Sequence, residues 1–209
     1  MSDATNARDP TQTRRSPTQI LIGLPETFTY TQARRAGLDH RSLYGLRDAG
    51  VVEVLGRGVY RRPDGEAVDP TLAEVAVRAP RATVCLTSAL VHHDLTDAIP
   101  PMPDLALPRG QRFPAMGGPI AWHAFAITTF DLGRDDLDVG PGLQIGVYDA
   151  ERTLVDTFRM RHRQGDDEAY EALRRWLRRR ESQPSTLLTM AAHFPRSVPP
   201  IRQALTVLL

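Results

Sequence analysis

The stretch from Phe28 to Arg62, FTYTQARRAGLDHRSLYGLRDAGVVEVLGRGVYRR, constrains the fold more than any other part of the chain. Thr29 followed by Gln32 has the spacing of a capping box, in which the two side chains satisfy each other's backbone N–H groups at a helix start. Gly37 stands where a helix C-terminus favours a residue free to take positive φ. Asp39 then caps a second helix from His40 to about Asp48, with Gly50 as its stop. Val51–Leu55 and Val59–Arg62 are β-prone segments on either side of Gly56-Arg57-Gly58. Upstream, Ile20 to Leu24 supplies the apolar face of a further helix packed beneath these two.

Helix, turn, helix and basic hairpin, in that order, describe a winged helix-turn-helix, a fold suited to reading duplex DNA. In the second helix Leu43 and Leu46 mark the buried side, and Arg41, Tyr44, Gly45 and Asp48 lie roughly opposite. Arg41 is suited to guanine edges or phosphate, and Tyr44 to phosphate or sugar. His40 and Arg47 flank that face. Gly45 costs about 1 kcal/mol relative to Ala inside a helix, and its bare surface would admit a DNA backbone closely. The wing offers Arg57, Arg61 and Arg62. Such modules also serve as protein-contact domains. Arginines on both expected contact elements favour DNA.

The helix-turn-helix pattern ends near residue 65 of 209, which leaves ample chain for a second core. The expected division is a disordered polar tail over residues 1–16, a DNA-binding domain over 17–65 and a second domain over 68–209. Charge follows the same division. Residues 14–62 hold nine Arg against four acids, residues 63–150 five Arg against twelve acids, and residues 151–209 eleven Arg against seven acids. The net charge of +1 therefore hides a basic head and an acidic middle. Arg14 and Arg15 form a short basic arm in the tail.

Every basic side chain other than histidine is arginine, and chemistry that needs a lysine is excluded. The single cysteine, Cys85, allows neither a disulfide within the chain nor a cysteine-based zinc site. No apolar run approaches the roughly 18 residues of a membrane span, and the N-terminus lacks the apolar core of a signal peptide. A cytoplasmic protein without membrane contact is expected.

Asp69-Pro70 opens a helix that stops before Pro80, and Ala82–Leu86 reads as a strand or the start of a helix. Thr87-Ser88 is expected to cap a helix through Leu95. Leu105–Leu107, Ile120–Phe125 and Leu143–Tyr148 read as strands among proline and glycine clusters. Asp149 caps the helix ERTLVDTFRMRHR. From about Asp167 to Arg180, Ala169, Ala172, Leu173, Trp176 and Leu177 form one apolar stripe. Ser185–Ala192 and Val198–Leu209 read as final helices. The fold class is α+β: an N-terminal winged helix-turn-helix, then a mixed α/β domain ending in helices.

Catalytic patterns are scarce. His92 and His93 point about 100° apart on a helix and do not share a face as a zinc pair would. Asp135, Asp136 and Asp138 read as a solvated loop before Gly140-Pro141-Gly142. Arg152 and Asp156 stand one helical turn apart, a spacing that ordinarily stabilises a helix by a few tenths of a kcal/mol. With no G-x-S-x-G, no Cys-His pair and no phosphate loop, no enzyme, cofactor or metal is expected. Arg174, Arg175, Arg178 and Arg179 exceed what helix capping needs, and form a candidate second basic contact for nucleic acid or an acidic protein.

Taken together, the head, LTSALVHHDLTDAIP from Leu86, LALPRGQRFP from Leu105 and IGVYDAERTLVDTFRMRHRQGDDEAYEALRRWLRRR from Ile145 resemble the AbiEi family. These are the antitoxins of AbiE-type toxin–antitoxin and phage-defence operons. The resemblance implies a repressor that binds inverted repeats in its own promoter and counteracts a nucleotidyltransferase-like toxin. It places DNA contacts on Arg34, Arg35, His40, Arg41, Tyr44 and Arg47, with Arg57 and Arg61 in the wing. Proteins with a similar head sometimes carry a PD-(D/E)xK nuclease domain, which the absence of lysine argues against. A ligand-sensing repressor without a toxin partner is the remaining alternative.

Overall fold

The computed structural model describes residues 15–63 and 68–209, with the side chains of 163 and 164 outside the description. The expected disordered tail falls on residues 1–14, outside the described residues, and on Arg15 and Ser16. The chain divides into two units, Met1–Gly65 and Glu66–Leu209.

In the first unit, α1 (Pro17–Ile22) starts on a Ser16–Gln19 capping box that the sequence reading did not single out. It is followed by β1 (Thr27–Thr29), α2 (Tyr30–Ala36), α3 (His40–Asp48), β2 (Glu53–Gly56) and β3 (Val59–Arg61). The sheet order is β1-β3-β2, antiparallel throughout. Strand β1 was not anticipated. It places Phe28 opposite Tyr60, and the two rings stack at 5.9 Å. Leu21, Phe28, Ala33, Leu38, Leu43, Leu46 and Val52 close the core.

The second unit begins with α4 (Pro70–Arg78), β4 (Thr83–Val84), α5 (Leu86–His92), β5 (Asp104–Pro108) and β6 (Ala121–Phe125). A 3-10 turn (Ile127–Thr129), β7 (Arg134–Gly140) and β8 (Leu143–Tyr148) follow. The helices α6 (Ala150–Gln164), α7 (Asp166–Leu177), α8 (Pro184–Ala192) and α9 (Val198–Leu208) complete it, with a 3-10 turn (Pro195–Ser197) before the last. The five-stranded mixed sheet has the order β6-β5-β4-β8-β7, with β4·β8 and β5·β6 parallel. The architecture mixes helix and strand, as an α+β class requires.

Two expectations need correction. The Asp135–Asp138 segment is not a loop. It lies within edge strand β7, paired antiparallel with β8, and Asp138 accepts from the Gln144 amide at 2.7 Å. Exposed carboxylates on an edge strand deter pairing with another chain, so acidic composition and strand structure coexist. Thr87 and Ser88 do not cap α5 either. The helix begins at Leu86, whose φ is 48°, and Cys85 makes no side-chain cap bond. Thr87 instead donates to Glu168 at 3.1 Å, and Ser88 accepts from the Asp104 N–H at 2.8 Å. Both hydroxyls tie the helix to distant segments.

His92 is exposed, while His93 Nε2 donates to the Tyr148 carbonyl at 2.7 Å, and the two rings meet edge-on at 4.9 Å. At Gly146, in the middle of β8, a Cβ would lie 2.6 Å from Thr83 Oγ1 and against the Arg134 guanidinium. The bare backbone lets Arg134 Nε donate to Thr83 Oγ1 at 2.9 Å across the sheet.

Helix α6 is buried continuously from Arg152 to Phe158. Arg152 Nε donates to Asp156 Oδ2 at 2.8 Å, and its Nη1 donates to the carbonyls of Thr129 and Leu132 at 2.6 and 2.7 Å. Arg159 reaches the other oxygen of Asp156 at 3.0 Å. The Arg152 guanidinium also lies 4.2 Å from the Tyr148 ring centre and 4.5 Å from that of Phe194. Burial pushes the Asp156 carboxyl up, against the pull of the two guanidiniums. The pair is structural, as its spacing suggested, but it is no surface pair worth a few tenths of a kcal/mol. Removing one partner strands a charge in the interior, at a cost of about 3–5 kcal/mol. Asp156→Ala should therefore destabilise the second unit by about that amount in urea unfolding followed by tryptophan fluorescence. Replacing Arg152 and Asp156 together by Met and Leu should recover most of the loss.

Candidate nucleic-acid interface

The surface around α2 and α3 is built from short-range rules. The Thr29 hydroxyl accepts from the Gln32 N–H at 3.0 Å, and Gln32 Oε1 accepts from the Thr29 N–H at 2.7 Å. Gly37 ends α2 at φ 104° while its N–H donates back to Ala33 and Arg34. Leu38 then enters the core, and Asp39 accepts from the Ser42 N–H at 2.7 Å. These contacts fix the turn between the two helices.

Along α3, His40, Tyr44 and Arg47 follow one another at near-helical repeat and stack. The His40 and Tyr44 rings lie 4.1 Å apart, and the Arg47 guanidinium sits 4.3 Å from the Tyr44 ring centre. Tyr30 meets His40 edge-on at 6.2 Å and extends the ribbon to the start of α2. Arg47 also donates to Asp48 at 2.6 Å, which ties down part of its charge. Helical periodicity grouped Tyr44 with Arg41. The ring contacts join it to His40 and Arg47, because stacking pulls the three side chains to one flank. Arg41 is exposed on its own, beside Gly45, where an added Cβ would meet nothing within 4 Å.

Arg34 and Arg35 are exposed on the last turn of α2, where cations oppose the negative end of the helix dipole. Arg57 is exposed at the centre of the β2–β3 turn. That turn is anchored rather than loose, since the Tyr30 N–H donates to the Gly58 carbonyl at 2.8 Å. Arg61 differs from the other predicted contacts. Its side chain is 14% exposed and donates across the hairpin to Glu53 at 2.8 Å. Tyr60, beside it, is buried, and burial pushes its phenol up.

Of the four acids among the described residues of this unit, Asp48 and Glu53 are paired internally and Asp39 serves as a helix cap. Exposed guanidiniums at Arg34, Arg35, Arg41 and Arg57 therefore dominate the charge around α3. Chemically, such a surface offers bidentate donors for phosphate or guanine and a stacked ring for sugar.

The arginines of α7 are used differently. Arg174 donates to Glu171 at 2.5 Å, Arg175 to both Asp97 and Glu171, and Arg179 to the His93 carbonyl. Arg178 is exposed. Sequence counted the run as surplus charge because the residues that hold it, Asp97 and His93, lie some eighty positions away.

Residues 20–63 match the family model described as "Transcriptional regulator, AbiEi antitoxin". No curated protein matches the chain. The match covers the α1–β3 unit and supports an AbiEi-family antitoxin. Among the described residues, no helix is long and apolar enough to cross a membrane.

The turn between α2 and α3 depends on Gly37. Gly37→Ala forces a side chain into left-handed backbone and should destabilise the first unit by about 1–2 kcal/mol. Urea unfolding of the full chain followed by far-ultraviolet circular dichroism checks this, with loss of helix at lower urea as the expected result.

Proposed function

We propose, from the match of residues 20–63 to the AbiEi antitoxin regulator model, that this protein is a winged helix-turn-helix autorepressor and antitoxin. It binds inverted repeats in its own promoter and counteracts a nucleotidyltransferase-like toxin. The observation that carries the DNA half is the set of exposed arginines on α2, α3 and the β2–β3 turn, on a unit in which Asp48 and Glu53 are paired internally. In this reading α3 enters the major groove at Arg41, while Gly45 lets the backbone approach. The Tyr44 stack and Arg34, Arg35 and Arg57 take phosphates. Two copies on an inverted repeat multiply the affinity of a single half-site. Residues 68–209 act on the toxin in the cytoplasm.

Arg41→Ala should weaken promoter binding by about 1–3 kcal/mol and relax base preference at one position. Arg57→Ala should weaken all sequences alike and lower the salt slope by about one unit. Gel-shift titrations of the full chain on its own promoter measure both, and unchanged affinity in both variants would overturn the DNA assignment.

The toxin half is tested separately. A full-length Arg34→Ala, Arg41→Ala, Arg57→Ala triple variant should lose repression of a promoter reporter yet still rescue growth of cells expressing the cognate toxin. Loss of rescue with the fold intact would show that both activities share one surface.

A further inference from the structure

The second unit holds a cavity of about 690 Å³ at the edge of its sheet, outside every role assigned above. It opens beside edge strand β6 and is bounded by the segment after β5, by α6 and by the 3-10 turn before α9. Three guanidiniums line it, from Arg109, Arg159 and Arg196, and no carboxylate is among its lining residues.

Arg159 is the best-fixed of the three. Asp156 holds it at 3.0 Å, and it lies 5.1 Å from the ring centres of both Phe125 and Phe194. A guanidinium already immobilised loses little freedom on meeting an anion, which favours tight, directional phosphate contacts. The lining also holds aromatic rings. Phe113 and Trp122 stack at 5.7 Å with an interplanar angle of 11°, and Phe113 is 40% exposed. Large rings left open at the mouth of a basic cavity form a shelf on which a further flat ring can stack. The volume lies in the range of cavities that enclose small ligands.

We propose that this cavity binds a nucleoside polyphosphate, its base on the Phe113–Trp122 shelf and its phosphates on Arg109, Arg159 and Arg196. A bare phosphate would leave the shelf unused, and an uncharged aromatic would leave Arg109 and Arg196 without an anion. The site lies within the second unit, and the proposal does not depend on the DNA reading.

Tryptophan fluorescence reports on it directly, because the only other tryptophan, Trp176, is 2% exposed in the helical core. Titrating the full chain with ATP or GTP should quench Trp122 saturably, with half-saturation below about 1 mM. Adenosine and tripolyphosphate alone should each bind at least about tenfold more weakly. Arg109→Ala and Arg196→Ala should each weaken binding on the order of tenfold, while Arg41→Ala should leave it unchanged. Trp122→Phe should keep calorimetric binding and lose the quench. No saturation up to about 10 mM with either nucleotide would overturn the proposal. So would equal affinity in the Arg109→Ala, Arg196→Ala double variant, a quench that survives Trp122→Phe, or binding confined to single-stranded oligonucleotides.

Discussion

The second unit is organised around a charge that has no access to water. Arg152 is fully buried on α6, and an isolated buried guanidinium would cost many kcal/mol. Asp156 supplies the countercharge one turn later, the Thr129 and Leu132 carbonyls accept from Nη1, and the Tyr148 and Phe194 rings lie against the guanidinium. Apart from Asp156, on the same helix, these partners come from other parts of the unit. The 3-10 turn after β6, the end of β8 and the segment after α8 must therefore all converge on α6 before the charge is satisfied. Hydrophobic burial alone would tolerate several packings of these helices on the sheet, whereas a buried ion pair with fixed carbonyl partners tolerates far fewer.

The same network reaches outward. Through Asp156 it fixes Arg159, and Arg159 forms the inner wall of the basic, ring-lined cavity. Structural and binding chemistry thus share one carboxylate. In the first unit the logic is reversed. There Asp39 serves as a helix cap and Asp48 and Glu53 are held by Arg47 and Arg61, while Arg34, Arg35, Arg41 and Arg57 are exposed. One unit buries its charge to define a fold, and the other displays it.

How far the chain explains itself differs between the two units. In the first, the Thr29 and Asp39 caps, Gly37 and the Gly56-Arg57-Gly58 turn were legible because each acts within four residues. The missed strand β1 has a reason: Thr29 serves both as its last residue and as the cap of α2, and only pairing with β3 reveals the first role. The exposed arginines were legible as charge, but the loss of Arg61 to Glu53 was not, because it depends on cross-strand register. In the second unit, apolar runs located three of the strands. The acidic strand β7 escaped because its stability comes from backbone bonds to β8 rather than from its own side chains.

Local sequence therefore determined where the helices of the first unit begin and end, where the hairpin turns and which residues carry charge. Those properties follow from backbone conformation and hydrogen bonds closed within one or two turns of chain. Tertiary structure decided what the charges do. Arg175 meets Asp97, Arg179 meets the His93 carbonyl, and Arg109, Arg159 and Arg196 gather around one cavity across nearly ninety residues. A guanidinium's role depends on whichever acceptor or ring lies within a few ångströms. Only the packed sheet and helices bring those groups together.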